Sequence, residues 1–154
     1  MTFINKWLRA DIQDIKAYHV PKSEHMIKLD AMESPFLIPK DLVKSYLTYL
    51  SEVALNRYPD AGAEEVQQTL RSLMDIPNEL GVLLGNGSDE LIQLMALACE
   101  TGDTVLSFEP SFVMYEMIAK FTRLNYQGVL LDDNYEINLG GTLEEIKRTQ
   151  PKLI

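Results

Sequence analysis

Cysteine occurs once, at position 99, which excludes an internal disulfide and any zinc site built on clustered thiolates. Histidine is nearly as scarce, with only His19 and His25, so a multi-histidine metal centre is not expected. Glycine (8) and proline (7) are too few in 154 residues for a collagen or a linker protein. No apolar run reaches membrane-spanning length: the longest, Leu91 to Cys99, is about half a span. The first nine residues lack the apolar core of a signal peptide, so the expected setting is soluble, reducing and cytoplasmic. Basic residues are also short, 14 against 23 acidic, for a net charge of −9. Neutralising a phosphate backbone or an anionic membrane needs Lys and Arg, so neither nucleic acid nor membrane is expected as a partner.

What the sequence does contain is ordinary globular material, 46% apolar and 24% charged. A chain of this length buries roughly 68–70% of its unfolded surface without a staple. Residues 1–40 are punctuated by Pro21 and Pro35, and each proline holds its predecessor extended. They read as an arm ahead of a domain spanning 41–154. Pro39-Lys40-Asp41 opens a helix with Leu42, Val43, Tyr46, Leu47 and Leu50 on one stripe. Arg57 to Gly62 has turn chemistry. A second helix is expected over 63–74, with Val66, Leu70, Leu73 and Met74 facing inward.

The period then changes. Gly81-Val82-Leu83-Leu84 reads as a buried strand, 104–108 and 125–131 as two more. Helices are expected over 89–99 and 112–122, the first apolar nearly all round and so covered on several sides. Thr142 with Glu145 forms a capping-box pattern that would open a further helix. Lys152-Leu153-Ile154 begins another strand. Alternating strand and helix indicates an α/β fold with a mostly parallel sheet flanked by helices.

Chemistry concentrates at Gly85-Asn86-Gly87-Ser88-Asp89-Glu90, between a strand and a helix. Glycine lets backbone approach a ligand, and a helix N-terminus presents free amides and a positive dipole end to a phosphate. The competing reading is a plain helix start capped by Ser88, with Asp89 and Glu90 placed to suit the dipole. Neither a Walker A loop nor G-x-G-x-x-G is present. Between Tyr58 and Ala119 the sole basic residue, Arg71, faces eleven acidic ones, so a phosphate here would draw its cations from elsewhere. The carboxylate pairs Glu64-Glu65 and Glu144-Glu145 sit at expected helix starts, Asp132-Asp133 in a solvated loop, and Cys99 reads as a small buried hydrophobe. None of the nine lysines falls where a desolvated amine is expected.

Four blocks, in this order and spacing, resemble histidinol-phosphate aminotransferase, a fold-type I pyridoxal-phosphate (PLP) family. They are Leu29-Asp30-Ala31-Met32-Glu33-Ser34-Pro35, Asn56-Arg57-Tyr58-Pro59-Asp60, Gly85 to Leu91, and Pro110-Ser111-Phe112-Val113-Met114-Tyr115. The resemblance implies part of a large PLP-binding domain preceded by a helical arm, in an N-terminal fragment of an enzyme more than twice this length. It implies amino transfer between L-histidinol phosphate and 2-oxoglutarate, in a homodimer. By position, Gly87, Ser88 and Asp89 resemble the cradle of the cofactor phosphate, which favours the phosphate reading of that segment. Tyr115 resembles the aromatic that stacks on the cofactor ring, the alternative being an ordinary amphipathic-helix tyrosine. Tyr58 resembles the tyrosine that reaches the neighbouring subunit's cofactor phosphate, the alternative being a turn tyrosine. Tyr18 and Glu33 resemble substrate-side positions, the alternative being a solvated arm. The lysine that would hold the cofactor covalently lies past residue 154 in the family pattern, so no catalytic residue is assigned here. Met32 and Ser34 stand where the family has asparagine. A related decarboxylase, an aromatic aminotransferase, and a non-catalytic α/β fragment that self-associates or binds phosphate are the competing readings.

Overall fold

The computed structural model describes residues 6–13, 15, 22, 24–29 and 33–154. Its elements, in order, are α1 (Ala10–Gln13), α2 (Lys40–Glu52), α3 (Glu64–Leu73), α4 (Ser88–Leu97), β1 (Thr104–Glu109), α5 (Met114–Thr122), β2 (Asn125–Leu130) and α6 (Leu139–Thr149). They fall into two units, residues 1–16 with 78–154, and residues 17–77.

The first unit is a small α/β assembly. β1 and β2 are parallel, in register from Thr104 opposite Asn125 to Glu109 opposite Leu130. A parallel pair needs a crossover, and α5 supplies it. Past α6 the chain returns to the other edge of β1: Lys152 N donates to Thr104 O at 2.8 Å and Leu106 N to Leu153 O at 2.9 Å. The strand expected to begin at residue 152 therefore appears as a parallel bridge from Leu153 to Val105. β1 is thus flanked on both edges. Its Leu106 is 1% exposed, and Ile118, Ala119, Leu124, Ala96 and Val129 complete the buried apolar set. Ile118 and Ala119 come from α5 and Ala96 from α4, so these helices meet the sheet through a small contact.

Several expectations need correction. Residues 81–84 form no strand: their exposure alternates with period two, as in an extended segment, but none of the described residues pairs with them in a ladder. α4 is covered less than its composition suggests, with Leu94, Met95 and Leu97 exposed and only Ala96 buried. α6 does not start at Thr142. It starts at Leu139 under Asn138, whose Oδ1 accepts from Gly141 N at 3.1 Å. Thr142 is buried inside the helix and returns its hydroxyl to Asn138 O at 2.7 Å.

The second unit holds α2 and α3. Both lie where the apolar stripes place them, but neither contains a buried residue. Leu42, Tyr46 and Leu47 on α2, and Val66, Leu73 and Met74 around α3, are all exposed rather than inward-facing. A stripe becomes a core only when a second surface lies against it, and none among the described residues does so here. What organises the loop before α3 is Asp60. Its carboxylate accepts from Gly62 N at 3.1 Å and Glu64 N at 2.9 Å, satisfying an amide that the start of α3 leaves free. No helix among the described residues is long and apolar enough to cross a membrane.

Two outcomes follow. Leu106→Ala removes the buried side chain at the centre of β1, which is paired on both edges, and should cost about 2–5 kcal/mol, read as a lowered denaturation midpoint in urea. The Asp60 carboxyl is held below its ordinary value by the Glu64 amide, then by the Gly62 amide. A group whose folded pKa is depressed stabilises above its unfolded pKa and loses that stabilisation as pH falls through the folded one. The 57–64 turn should therefore loosen on acidification below the ordinary carboxylate range. Asp60→Asn should flatten that dependence, as followed by amide exchange at Gly62 and Glu64.

Candidate functional site

The segment from Gly85 to Glu90 reaches its geometry through two glycines. A Cβ on Gly85 would come within 2.9 Å of Leu91 Cδ2, so a side chain there would displace Leu91. Gly87 has φ +87°, a conformation that disfavours L side chains, and the space beside its Cα is open. Gly87 is the N-cap of α4 and no side chain caps the helix, so the competing reading of a Ser88 cap is not met. Ser88 is the first helical residue instead. The first-turn amides, including those of Ser88 and Asp89, point out of a helix end that carries partial positive charge.

One local device escaped the sequence reading. Glu90, expected only to suit the dipole, turns its carboxylate back to accept from Asn86 N–H. It thereby ties the glycine loop to the first turn of the helix. The signal for it is the four-residue spacing from Asn86 to Glu90.

Two hollows open on either side of the α4–α5 contact. The larger, about 470 Å³, is lined by Ile92 and Met95 of α4, Ser107 and Phe108 of β1, and Tyr115 and Ile118 of α5. The other, about 340 Å³, is lined by Asn86, Asp89, Glu90 and Gln93 with Met114 and Ile118. Tyr115 and Asp89 thus occupy neighbouring hollows that share Ile118. Tyr115 is half-buried, and its ring meets that of Phe112 edge-on, with centroids 5.7 Å apart and planes at 89°. Beside the larger hollow, burial raises the Tyr126 phenol above its ordinary pKa, and the charge of Glu109 adds to the effect.

Two further predicted residues, Tyr58 and Glu33, are described. Tyr58 belongs to the second unit, is 99% exposed, and lines a hollow with Val53, Leu55, Arg57 and Pro59. Glu33 is exposed and ion-paired with Lys28 at 2.7 Å. Ser34, in place of the family's asparagine, accepts from Phe36 N at 3.3 Å. Tyr18 and Met32 lie outside the described residues. Among the described residues, no three His, Cys, Asp or Glu side chains are grouped to hold a metal ion. The described lysines are all exposed.

Residues 24–154 match the family model of class I and II aminotransferases. A histidinol-phosphate aminotransferase of Vesicomyosocius okutanii is 64% identical over all of this chain, which spans 44% of that protein. One from Thiocapsa roseopersicina is 49% identical over 98% of this chain and 81% of that sequence. Among solved structures, the histidinol-phosphate aminotransferase of Clostridium acetobutylicum aligns with a TM-score of 0.60 at 23% identity, over 72% of this chain and 32% of that one. A kynurenine aminotransferase of Pyrococcus horikoshii, solved in complex with PMP, aligns with a TM-score of 0.63 at 17% identity, over 98% of this chain and 42% of that one. These two show a shared fold. The α/β architecture, the match over most of the chain and the identity to curated relatives together place this chain in the class I and II aminotransferase family.

Proposed function

We propose that this chain is the N-terminal part of a PLP-dependent aminotransferase that moves an amino group between L-histidinol phosphate and 2-oxoglutarate. The observation that carries the reading is 64% identity, over the whole chain, to a protein of that name. The site's form supports the cofactor. An uncapped helix start behind a positive-φ glycine with open space beside it suits a phosphate, which needs backbone amides rather than a bulky side chain.

In this reading the amides of Gly87, Ser88 and Asp89 hold the cofactor phosphate, and the Ser88 hydroxyl adds a donor. Tyr115 orients the cofactor ring by stacking. Tyr58 reaches the phosphate in the neighbouring subunit of a homodimer. Glu33 and Tyr18 contact substrate. When bound, the cofactor supplies an electron sink for the reacting amino carbon. This chain's residues bind and orient it. The covalent anchor belongs to a further segment of the enzyme, in keeping with the exposure of the described lysines: an exposed amine is not desolvated into a nucleophile. The enzyme works in the cytoplasm.

The test is to assay the whole protein that carries this chain for glutamate formation from 2-oxoglutarate with histidinol phosphate as donor. Turnover of this pair in preference to aromatic donors is the expected outcome. Gly87→Ala, which forces an L side chain to φ +87°, should weaken PLP binding on the order of tenfold, read by absorbance titration. Residues 1–154 alone should show no transamination. After incubation with PLP and borohydride, mass spectrometry should find scattered, substoichiometric labelling of lysines. Stoichiometric labelling of one lysine together with turnover would relocate the catalytic centre into this chain.

A further inference from the structure

α5 is short for the task given to it. It has nine residues, two of them buried, and it carries Tyr115 in its first turn. Its last turn exposes carbonyls that need donors. Leu124 N serves Ala119 O at 2.8 Å, and Arg123 N reaches Lys120 O only at 3.3 Å. The Thr122 hydroxyl donates to Ile118 O at 2.8 Å and to Ala119 O at 3.2 Å, and two further donors come from 111 and 112 residues away. Arg9 Nη1 donates to Phe121 O at 2.9 Å, and Arg9 Nη2 to Lys120 O at 3.1 Å. The same guanidinium is held from its other side by Asp11. Nε donates to Oδ1 at 3.1 Å and Nη2 to Oδ2 at 2.5 Å. One planar fork therefore joins the N-terminal segment to the end of α5, using donors that only arginine places in a plane. Its charge also suits the negative end of the helix.

We infer that Arg9 is a positioning residue, held by Asp11, that clamps the C-terminal turn of α5 and so fixes the helix that presents Tyr115. Arg9 lines neither of the hollows beside α4 and α5, so it acts through the helix and not by touching a ligand. From Tyr115 to Phe121 is about 9 Å of helix, short enough to move as one piece. The link to Tyr115 rests on the ring-stacking role proposed above; the clamp itself does not.

The experiment uses the whole protein that carries this chain, in five forms: wild type, Arg9→Ala, Arg9→Lys, Tyr115→Leu, and the Arg9→Ala/Tyr115→Leu double variant. Amide hydrogen exchange is read at residues 122–124, and PLP affinity by absorbance titration. Arg9→Ala should speed exchange at the end of α5 and weaken PLP binding about 2–5-fold, the scale of a lost helix-terminal cation. Arg9→Lys keeps the charge but not the fork and should recover less than half of the loss. With Tyr115 already replaced, Arg9→Ala should cost no further affinity, because coupled residues give non-additive effects. Unchanged exchange in Arg9→Ala, or full recovery by lysine, overturns the clamp. Additive losses in the double variant overturn its action through Tyr115. If Tyr115→Leu leaves PLP affinity unchanged, the stacking role falls, and exchange at residues 122–124 still decides the clamp.

Discussion

Backbone pairing on both edges of β1 orders the sheet unit. β2 occupies one edge through six residue pairs, and Lys152 and Leu153 occupy the other. Leu106 lies in the middle of that strand, almost fully buried, and Ile118 of α5 is the other large side chain that is fully enclosed. Parallel pairing leaves no short route from β1 to β2, so α5 must cross over the sheet. The crossover brings Tyr115 to the larger hollow while Ile118 packs in the core. The position of Tyr115 thus follows from strand pairing several residues away.

The same economy leaves much apolar surface uncovered. Leu94, Met95 and Leu97 on α4 and the α2 stripe are exposed although their spacing is that of packed helices. Such spacing records that a face is meant to be covered. It does not say by what, because amphipathicity is a property of one segment and burial a property of two. This chain spans 44% of the length of a relative 64% identical to it.

Legibility in the sequence tracked how local each interaction is. β1, β2, α3 and α5 were readable to within two residues because period and turn residues are contained in each segment. Residues 81–84 looked like a strand for the same reason, but a strand also needs a neighbour's amides and carbonyls. The start of α6 was misplaced because two capping patterns overlap. Thr142 and Glu145 have capping-box spacing, yet Glu145 pairs with Arg148 at 2.6 Å, and Asn138 does the capping four residues earlier. The glycine loop was legible as a helix start. Glu90's return to Asn86 went unread, although their four-residue spacing carries the signal. Arg9 was not, since a bond between residues 9 and 121 leaves no periodic trace in the chain.

Electrostatics gives the glycine loop its character. Arg71 is the only basic residue from Tyr58 to Ala119, and its Nη1 donates to Pro77 O at 2.9 Å. Asp89 and Glu90 add negative charge to the very turn that offers amides. Glu90 spends part of its charge on Asn86 N–H, which draws one carboxylate oxygen back toward the loop. A dianion at this terminus would be held by geometry first, through backbone amides that lose no side-chain entropy on binding. Its charge balance would have to come from outside the 58–119 stretch.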